Sequence, residues 1–180
     1  ASKKNWLIFY PIEKLMAKFC DIVITITKED FKLAKEKFNT NIQYIHGVGV
    51  NEEKYTSVSQ KQIADFKSQN GYNDRFVVLC TGELNANKNQ KTIISAVEHL
   101  KDKYPNILLL LAGNGPNENN LKEHIESSNL GEFVKLLGYR TDLELFTNSC
   151  DLVVSASLRE GLPLNIMEAM LCKKAVVASN

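Results

Sequence analysis

The sequence lacks the features that mark several classes of protein. It has four prolines, nine glycines and one tryptophan in 180 residues, with 44% hydrophobic and 24% charged residues, a composition that excludes fibrous and disordered chains. The formal net charge is +1, and lysine and arginine are spread along the whole chain. Because no basic stripe is present, nucleic acid is not an expected partner. The longest uncharged stretch near the N-terminus, "NWLIFYPI", is far shorter than the roughly 20 apolar residues of a membrane-spanning helix.

The sequence also lacks recognisable metal and redox motifs. Its four cysteines, Cys20, Cys80, Cys150 and Cys172, are too far apart for a zinc site or a thiol redox pair. Since each lies in or beside apolar sequence, we expect buried, reduced thiols in a cytoplasmic protein. No Asp-x-Asp occurs, so we expect neither a metal nor a cofactor, and any bound diphosphate must be held by other means.

What is present is a regular alternation of short apolar runs with longer segments of helical period. Several runs are nearly continuous in hydrophobicity, as is typical of strands covered on both faces by helices. The alternation therefore predicts an α/β fold with a doubly wound, Rossmann-like parallel sheet. Strands are predicted at 21–27, 42–47, 76–82, 107–113, 133–138, 151–157 and 175–179, and helices at 6–18, 28–38, 59–69, 89–103, 117–129, 141–148 and 163–172.

The alternation is interrupted once, by the polar stretch "VNEEKYTSVSQ". We expect residues 1–50 to be the tail of one Rossmann-like domain, 51–70 to be a linker with a helix, and 71–180 to be most of a second domain. The chain starts with Ala and stops on a strand-like run, so we expect a piece of a longer protein.

The loops after the predicted strands are polar and contain glycine. Ligands of open parallel sheets bind at the carboxyl ends of the strands, which makes Gly82 in "GELNANKNQ" and Gly113 and Asn114 in "GNGPNE" candidate binding residues. The second loop partly imitates a dinucleotide-binding fingerprint, but Glu118 stands at the third glycine position. A tight turn entering a helix is the alternative interpretation.

The segment "REGLPLNIME" is the strongest candidate for an anion site. Pro163 suits the first position of a helix, which would direct free amides and the positive end of the helix dipole towards Gly161 and Leu162. Lys88, from a loop at the same sheet edge, would add a positive charge, although a solvated lysine is the alternative.

Two carboxylates, Glu160 and Glu168, flank this segment at a separation of eight residues. Buried carboxylates need partners, so a bound ligand would explain them. The alternatives are an exposed loop charge for Glu160 and a polar stripe on an apolar helix for Glu168.

Four motifs in order resemble those of glycosyltransferase family 4, the retaining nucleotide-sugar transferases of GT-B fold. "EGLPLNIME" resembles the Glu-x7-Glu motif of the family, "GELNANKN" its first-strand loop, "GNGP" its second-strand loop and "IHGVGVNEEKY" its interdomain linker. The loop "GELNANKN" is similar to that of family members that build bacterial exopolysaccharide or capsule.

The resemblance implies a donor site for a nucleoside-diphosphate sugar, with a UDP-sugar expected. Glu160 would bind sugar hydroxyls near the reacting carbon, Glu168 the ribose, and Lys88 the diphosphate with amides around Gly161 and Leu162. Tyr139 and Arg140 would border the nucleobase. The acceptor would be a polyprenyl-linked or other glycan, transfer would retain configuration without a metal, and the isolated fragment would be inactive.

The sequence departs from the family at Glu83, where an arginine often follows the glycine of the first-strand loop. Diphosphate binding would then depend more on Lys88.

Three alternative functions remain open. They are a nucleotide-sugar 2-epimerase, a non-catalytic nucleotide-binding module and a NAD-dependent dehydrogenase, the last of which is opposed by Glu118. The N-terminal segment "KNWLIFYPIEKLMAKF" suits either peripheral contact with the inner face of the plasma membrane or packing against a preceding domain.

Overall fold

The computed structural model describes residues 3–179 and divides into two units, the first ending at Gly49 and the second beginning at Val50. The first unit is a two-stranded parallel sheet with helices, in which Ile22 pairs with Asn41. No helix within residues 3–179 has both the length and the hydrophobicity to cross a membrane. The elements of this unit are α1 (Lys3–Met16), a 3-10 turn (Ala17–Phe19), β1 (Ile22–Thr25), α2 (Lys28–Lys37) and β2 (Asn41–Tyr44).

The second unit is built around a five-stranded sheet flanked by helices. Its elements are α3 (Glu52–Thr56), α4 (Gln60–Asn70), β3 (Phe76–Thr81), α5 (Gln90–Leu100), β4 (Ile107–Ala112), α6 (Glu118–Ser127), β5 (Val134–Gly138), α7 (Leu143–Ser149), β6 (Leu152–Ser155), α8 (Leu164–Leu171) and β7 (Ala175–Ala178). The strand order is β5-β4-β3-β6-β7 and every neighbouring pair is parallel. The predicted α/β fold with a parallel sheet is confirmed.

Strand β4 shows why the sheet is covered on both faces. All six of its residues are buried, and alternate side chains point to opposite faces. Leu109 and Leu111 join the core under α5 and α6, whereas Leu108 and Leu110 join the core under α7 and α8. Each fully buried leucine contributes about 1.5–3 kcal/mol, so neither face can be left open along this strand.

Residues 51–70 differ from the expected linker with one helix. They fold as two helices, α3 and α4, and both pack on α7 within the second unit. Tyr55 of α3 is only 4% exposed, which ties this short helix to the unit. Five residues give too little helical period to be recognised in a sequence, so α3 was not predicted.

Pro163 stands just outside the helix that it was expected to begin, and Pro116 likewise lies before its helix. Helix α8 begins at Leu164, and Pro163 precedes it with φ −79° and ψ 88°, a non-helical conformation. Helix α6 begins at Glu118, two residues after Pro116. Both prolines therefore belong to the entering loops.

The cysteines are all free, but the prediction that all four are buried holds only for Cys80 and Cys150, since Cys172 is half-buried and Cys20 is exposed. Its apolar neighbour Phe19 is 83% exposed, so the local hydrophobicity that suggested burial lies on the surface of this unit. Burial raises the pKa of Cys80 to about 12, against an opposing effect of Lys88. This thiol therefore stays protonated at neutral pH and is a poor nucleophile.

Candidate functional site

The loops that follow β3, β4 and β5 lie side by side at the carboxyl edge of the sheet. The Gly82 N–H donates to the Ala112 carbonyl at 2.9 Å, and the Gly113 N–H donates to the Gly138 carbonyl at 2.8 Å. Backbone pairing thus continues past the ends of the strands. The candidate residues Gly82, Gly113 and Asn114 come to one edge because their strands are parallel neighbours.

Two glycines let the loops after β3 and β4 approach each other more closely than any other residue would. A Cβ on Gly113 would lie 2.0 Å from the Gly82 carbonyl oxygen, and one on Gly115 would lie 2.4 Å from the Leu84 carbonyl oxygen. A Cβ on Gly82 would make only an ordinary contact, 3.4 Å from Cε of Lys88, but the φ of Gly82 is +138°, which other residues rarely adopt. Gly113 and Gly115 are therefore required by the packing of the loops, and Gly82 by its backbone conformation.

Lys88 and Glu160 form an ion pair between the loops after β3 and β6. The Lys88 Nζ lies 2.5 Å from Glu160 Oε1, and the two side chains are 24% and 25% exposed. Partial burial opposes ionisation of Glu160, but hydrogen bonds from Lys88 and Ser157, with the lysine charge, hold its pKa below the usual value. The glutamate is thus an ionised acceptor for hydroxyl groups, and its partner is a cation that a phosphate could share.

The segment between Glu160 and α8 borders open space. Nothing lies within 4 Å of a Cβ built on Gly161, so this glycine, unlike Gly113, is not required by packing. Leu162 and Pro163 are half-buried, and no side chain caps the start of α8. The uncapped first turn presents backbone N–H groups and the positive end of the helix dipole to this opening.

Glu168 lies in the second turn of α8, half-buried on the side that meets α3. Burial, and then the Glu168 carboxylate, raise the pKa of the Tyr55 hydroxyl. In the first turn of the same helix, the Asn165 side chain donates to the Thr81 carbonyl at 3.3 Å. Helix α8 is thereby fixed to the end of β3, and its one carboxylate, Glu168, faces the buried Tyr55.

Tyr139 and Arg140 follow β5 and border a pocket of about 300 Å³. Tyr139 is 75% exposed, whereas Arg140 is held by Asp142 through bonds of 2.9 and 2.6 Å. The guanidinium lies 5.1 Å from the centre of the Phe146 ring. Hydrogen bonding to Arg140 lowers the pKa of Asp142. An exposed phenol and a fixed planar cation are suited to contact with a flat aromatic base.

The predicted residues do not all line one pocket. The pocket beside Arg140 is lined by Gly82, Glu83, Ala112, Gly113, Asn114, Tyr139, Arg140 and Leu143. Glu160 and Pro163 line another, of about 240 Å³, with Ser155 and Ser157. Four of the predicted residues are absent from the described linings of these two pockets: Lys88, Gly161, Leu162 and Glu168.

Sequence reasoning missed the amide side chains that shape the first loop. The Asn85 side chain accepts from the Lys88 N–H at 2.9 Å and donates to the Glu83 carboxylate at 2.8 Å. The buried Gln90 side chain donates to the Glu83 carbonyl at 2.9 Å. The Asn87 side chain donates across to the loop after β6. The density of asparagine in "GELNANKNQ" was the available signal.

No group of His, Cys, Asp and Glu side chains within residues 3–179 is arranged to hold a metal ion.

Comparison with known proteins places these features in a family. A family model described as "Glycosyl transferases group 1" matches residues 61–180. The chain belongs to the group 1 glycosyl transferases. This assignment covers two thirds of the chain, including every loop of the candidate site.

Individual relatives extend over the rest of the chain. EpsD of Bacillus subtilis (strain 168) is 35% identical over all of this chain and 48% of its own length. An N,N'-diacetylbacillosaminyl-diphospho-undecaprenol alpha-1,3-N-acetylgalactosaminyltransferase of Campylobacter jejuni is 30% identical, over 93% of this chain and 44% of its own. The chain thus spans about half the length of these curated relatives.

A solved structure of Anabaena HepE in complex with UDP-glucose shares the fold of this group 1 chain. The TM-score is 0.82 at 26% identity, and the match covers 99% of this chain and 49% of HepE. The fold match therefore includes both units of the chain.

Proposed function

We propose that the full-length protein containing this chain transfers a sugar from a nucleoside-diphosphate sugar to a lipid-linked or glycan acceptor. The family assignment supports glycosyl transfer, and the UDP-glucose complex of HepE supports a UDP-sugar as donor. We assign this chain to the donor side. Residues up to Gly49 would belong to an acceptor-side domain in the full-length protein.

The observation that carries this proposal is the Lys88–Glu160 pair at the carboxyl edge of the sheet. It puts an ionised carboxylate and a cation at one point, beside an open glycine and an uncapped helix start. A sugar diphosphate needs both kinds of group, because its hydroxyls donate to carboxylates while its phosphates accept from cations and amides.

In this assignment Glu160 binds hydroxyls of the donor sugar and Lys88 binds the diphosphate. The amides around Gly161 and Leu162 support the same phosphates, and Pro163, which has no N–H to donate, leads the chain into the first turn of α8. Each charged hydrogen bond of this kind contributes about 1.5–3 kcal/mol. Three or four of them are therefore enough to hold the donor in one orientation.

The nucleoside is assigned to the other half of the site. Tyr139 and Arg140 border the base, while Gly82, Gly113 and Asn114 line the wall between base and phosphates. Glu168 holds the ribose hydroxyls and is supported by its neighbour Tyr55.

The reaction breaks the bond between the anomeric carbon and the diphosphate oxygen, the acceptor hydroxyl oxygen forms the new bond to that carbon with retention of configuration, and the hydroxyl proton passes to the departing diphosphate. Negative charge grows on the departing diphosphate as this bond lengthens. Preorganised groups aimed at developing charge supply the largest share of many enzymatic rate enhancements. Lys88 and the α8 amides are placed to do so without a metal ion, and transfer should therefore persist in excess EDTA.

The proposal also includes the kind of acceptor and the cellular role of the protein. The lipid-linked acceptor named for the Campylobacter relative supports a polyprenyl-linked acceptor, and an exopolysaccharide or capsule role in the cytoplasm agrees with it. The exposed apolar side chains of α1, including Leu7 and Phe9, suit either the membrane surface or the rest of the first domain. Flotation of the full-length protein with anionic vesicles decides between the two.

The proposal is tested with E160Q in the full-length protein. The substitution keeps the shape of the side chain but removes the charge that binds hydroxyls, and we expect transfer of radiolabelled sugar to fall by at least a hundredfold. E123Q, an exposed glutamate of α6, is the matched control and should behave as wild type. Full transfer by E160Q would overturn the assignment.

Two other functions are separated by simple assays. A nucleotide-sugar 2-epimerase would convert the donor when no acceptor is present, so product analysis with donor alone identifies it. A non-catalytic module would bind the nucleotide with no effect of the attached sugar on affinity. Calorimetry with UDP and with a UDP-sugar tests that outcome.

A further inference from the structure

The geometry of the Lys88–Glu160 pair depends on how its two loops are joined. Both side chains are about one quarter exposed, and each is long and flexible, so their contact alone does not fix the backbone from which they extend. The two residues come from separate loops, 72 positions apart in sequence. Something other than their mutual attraction must fix the geometry.

Asn87 supplies two hydrogen bonds that join these loops. Its backbone carbonyl accepts from the Leu158 N–H at 2.8 Å, and its side-chain Nδ2 donates to the Arg159 carbonyl at 2.9 Å. The residue directly after Asn87 is Lys88, and the residue directly after Arg159 is Glu160. The side-chain hydrogen bond therefore joins the two residues that directly precede the members of the ion pair.

Two neighbouring asparagines fix Lys88 from its other side. The Asn85 side chain accepts from the Lys88 N–H at 2.9 Å, which closes the turn that carries the lysine. Asn89 has φ 52°, a left-handed conformation that asparagine tolerates better than most residues. The Asn85 side chain thus holds the Lys88 backbone at its own amide, and the Asn89 N–H, which donates to the Asn85 carbonyl at 3.2 Å, holds the residue that follows.

We infer that Asn87 is the positioning residue of the Lys88–Glu160 pair, acting by joining the loops after β3 and β6. The inference rests on the proposed function, because it assumes that the pair works on the donor. Both of its contacts are with backbone atoms of the loop after β6. The second contact needs a side-chain donor at position 87 that faces the Arg159 carbonyl. An aspartate there would place an acceptor against an acceptor, and an alanine would leave the carbonyl to water.

The test uses steady-state kinetics of the full-length protein carrying N87A or N87D. We expect kcat to fall about five- to tenfold in both, the effect of losing one ordinary hydrogen bond, while the thermal midpoint stays within about 2 °C. N73A and N73D, in an exposed turn before β3 at the opposite edge of the sheet, should keep wild-type kcat.

A K88A background separates positioning from a general structural effect. Because Asn87 acts through the pair, adding N87A to K88A should cause no further loss of kcat. An equal loss in both backgrounds, or wild-type kcat in N87A and N87D, overturns the inference. If E160Q keeps full activity, the proposed function itself is wrong; if E160Q is inactive while N87A is normal, only the role of Asn87 is wrong.

Discussion

Replacing Gly113 by alanine should destabilise the protein more than any other single-methyl addition in the candidate site. The added Cβ would lie 2.0 Å from the Gly82 carbonyl oxygen and 2.8 Å from its carbonyl carbon, distances at which real Cβ atoms are not found. Both contacts are with backbone, which cannot rotate away as the end of a side chain can. The loops after β3 and β4 must therefore separate.

The expected size follows from two contributions. Gly113 has φ +147°, and holding a non-glycine residue in so sparsely populated a conformation costs about 1–3 kcal/mol. Forcing a methyl group into a closed contact costs about 1–3 kcal/mol more. The sum, about 2–6 kcal/mol, is a large part of the 5–15 kcal/mol that typically stabilises a folded domain.

Urea unfolding followed by circular dichroism measures this change. G131A is the control, since nothing lies within 4 Å of its Cβ and its φ is not in the left-handed region; we expect a change within about 0.5 kcal/mol. G161A has equally open space and should also unfold normally, yet raise the donor KM because the methyl group occupies the proposed phosphate side. An unfolding midpoint of G113A equal to that of G131A would refute the reasoning.

Three further predictions concern charge in the site. K88M should lower kcat by about 10²–10³, the usual effect of removing one donor to a developing oxyanion, with transfer rates as the measurement and unchanged folding as the control. Under the proposed function, E83Q should lower the donor KM severalfold, because it removes a negative charge from the pocket assigned to the nucleotide; an unchanged or higher KM would contradict this. Arg140 lowers the pKa of Asp142, so this contribution to stability is full above the usual aspartate value of about 4 and is lost as pH falls through the lowered one. Thermal midpoints between pH 6 and pH 3 should accordingly fall less in D142N than in wild type.

The strands could be read from the sequence because each obeys a local rule. "ILLLLA" is apolar at every position since helices cover both of its faces, and the structure has β4 within one residue of the predicted strand. The loops at the carboxyl edge followed from the same rule, because parallel neighbours end at the same edge. Candidate residues such as Gly113 and Arg140 therefore came together without knowledge of any contact.

Contacts between distant loops could not be read in this way. The Asn87 side chain donates to a backbone carbonyl 72 positions away, and every residue has such a carbonyl, so no pairing of residue types marks the contact. The exposure of Cys20 was missed for a related reason, since local hydrophobicity does not show what covers a segment. The start of α8 was wrong by one residue at Pro163, because the boundary depends on backbone angles that neighbouring loops impose.

Both cations placed in the site have carboxylate partners within the protein. Lys88 is paired with Glu160, and Arg140 is paired with Asp142. A diphosphate must therefore first meet the neutral donors near Gly161, which lose no ion pair when they bind it. When Lys88 shares its N–H groups with the phosphates, its hydrogen bond to Glu160 weakens and Glu160 accepts more readily from sugar hydroxyls. Under the proposed function, the ion pair thus couples phosphate binding to sugar binding, so a nucleoside diphosphate that lacks the sugar leaves Glu160 with a weakened partner and should bind less tightly than its complement of charges alone suggests.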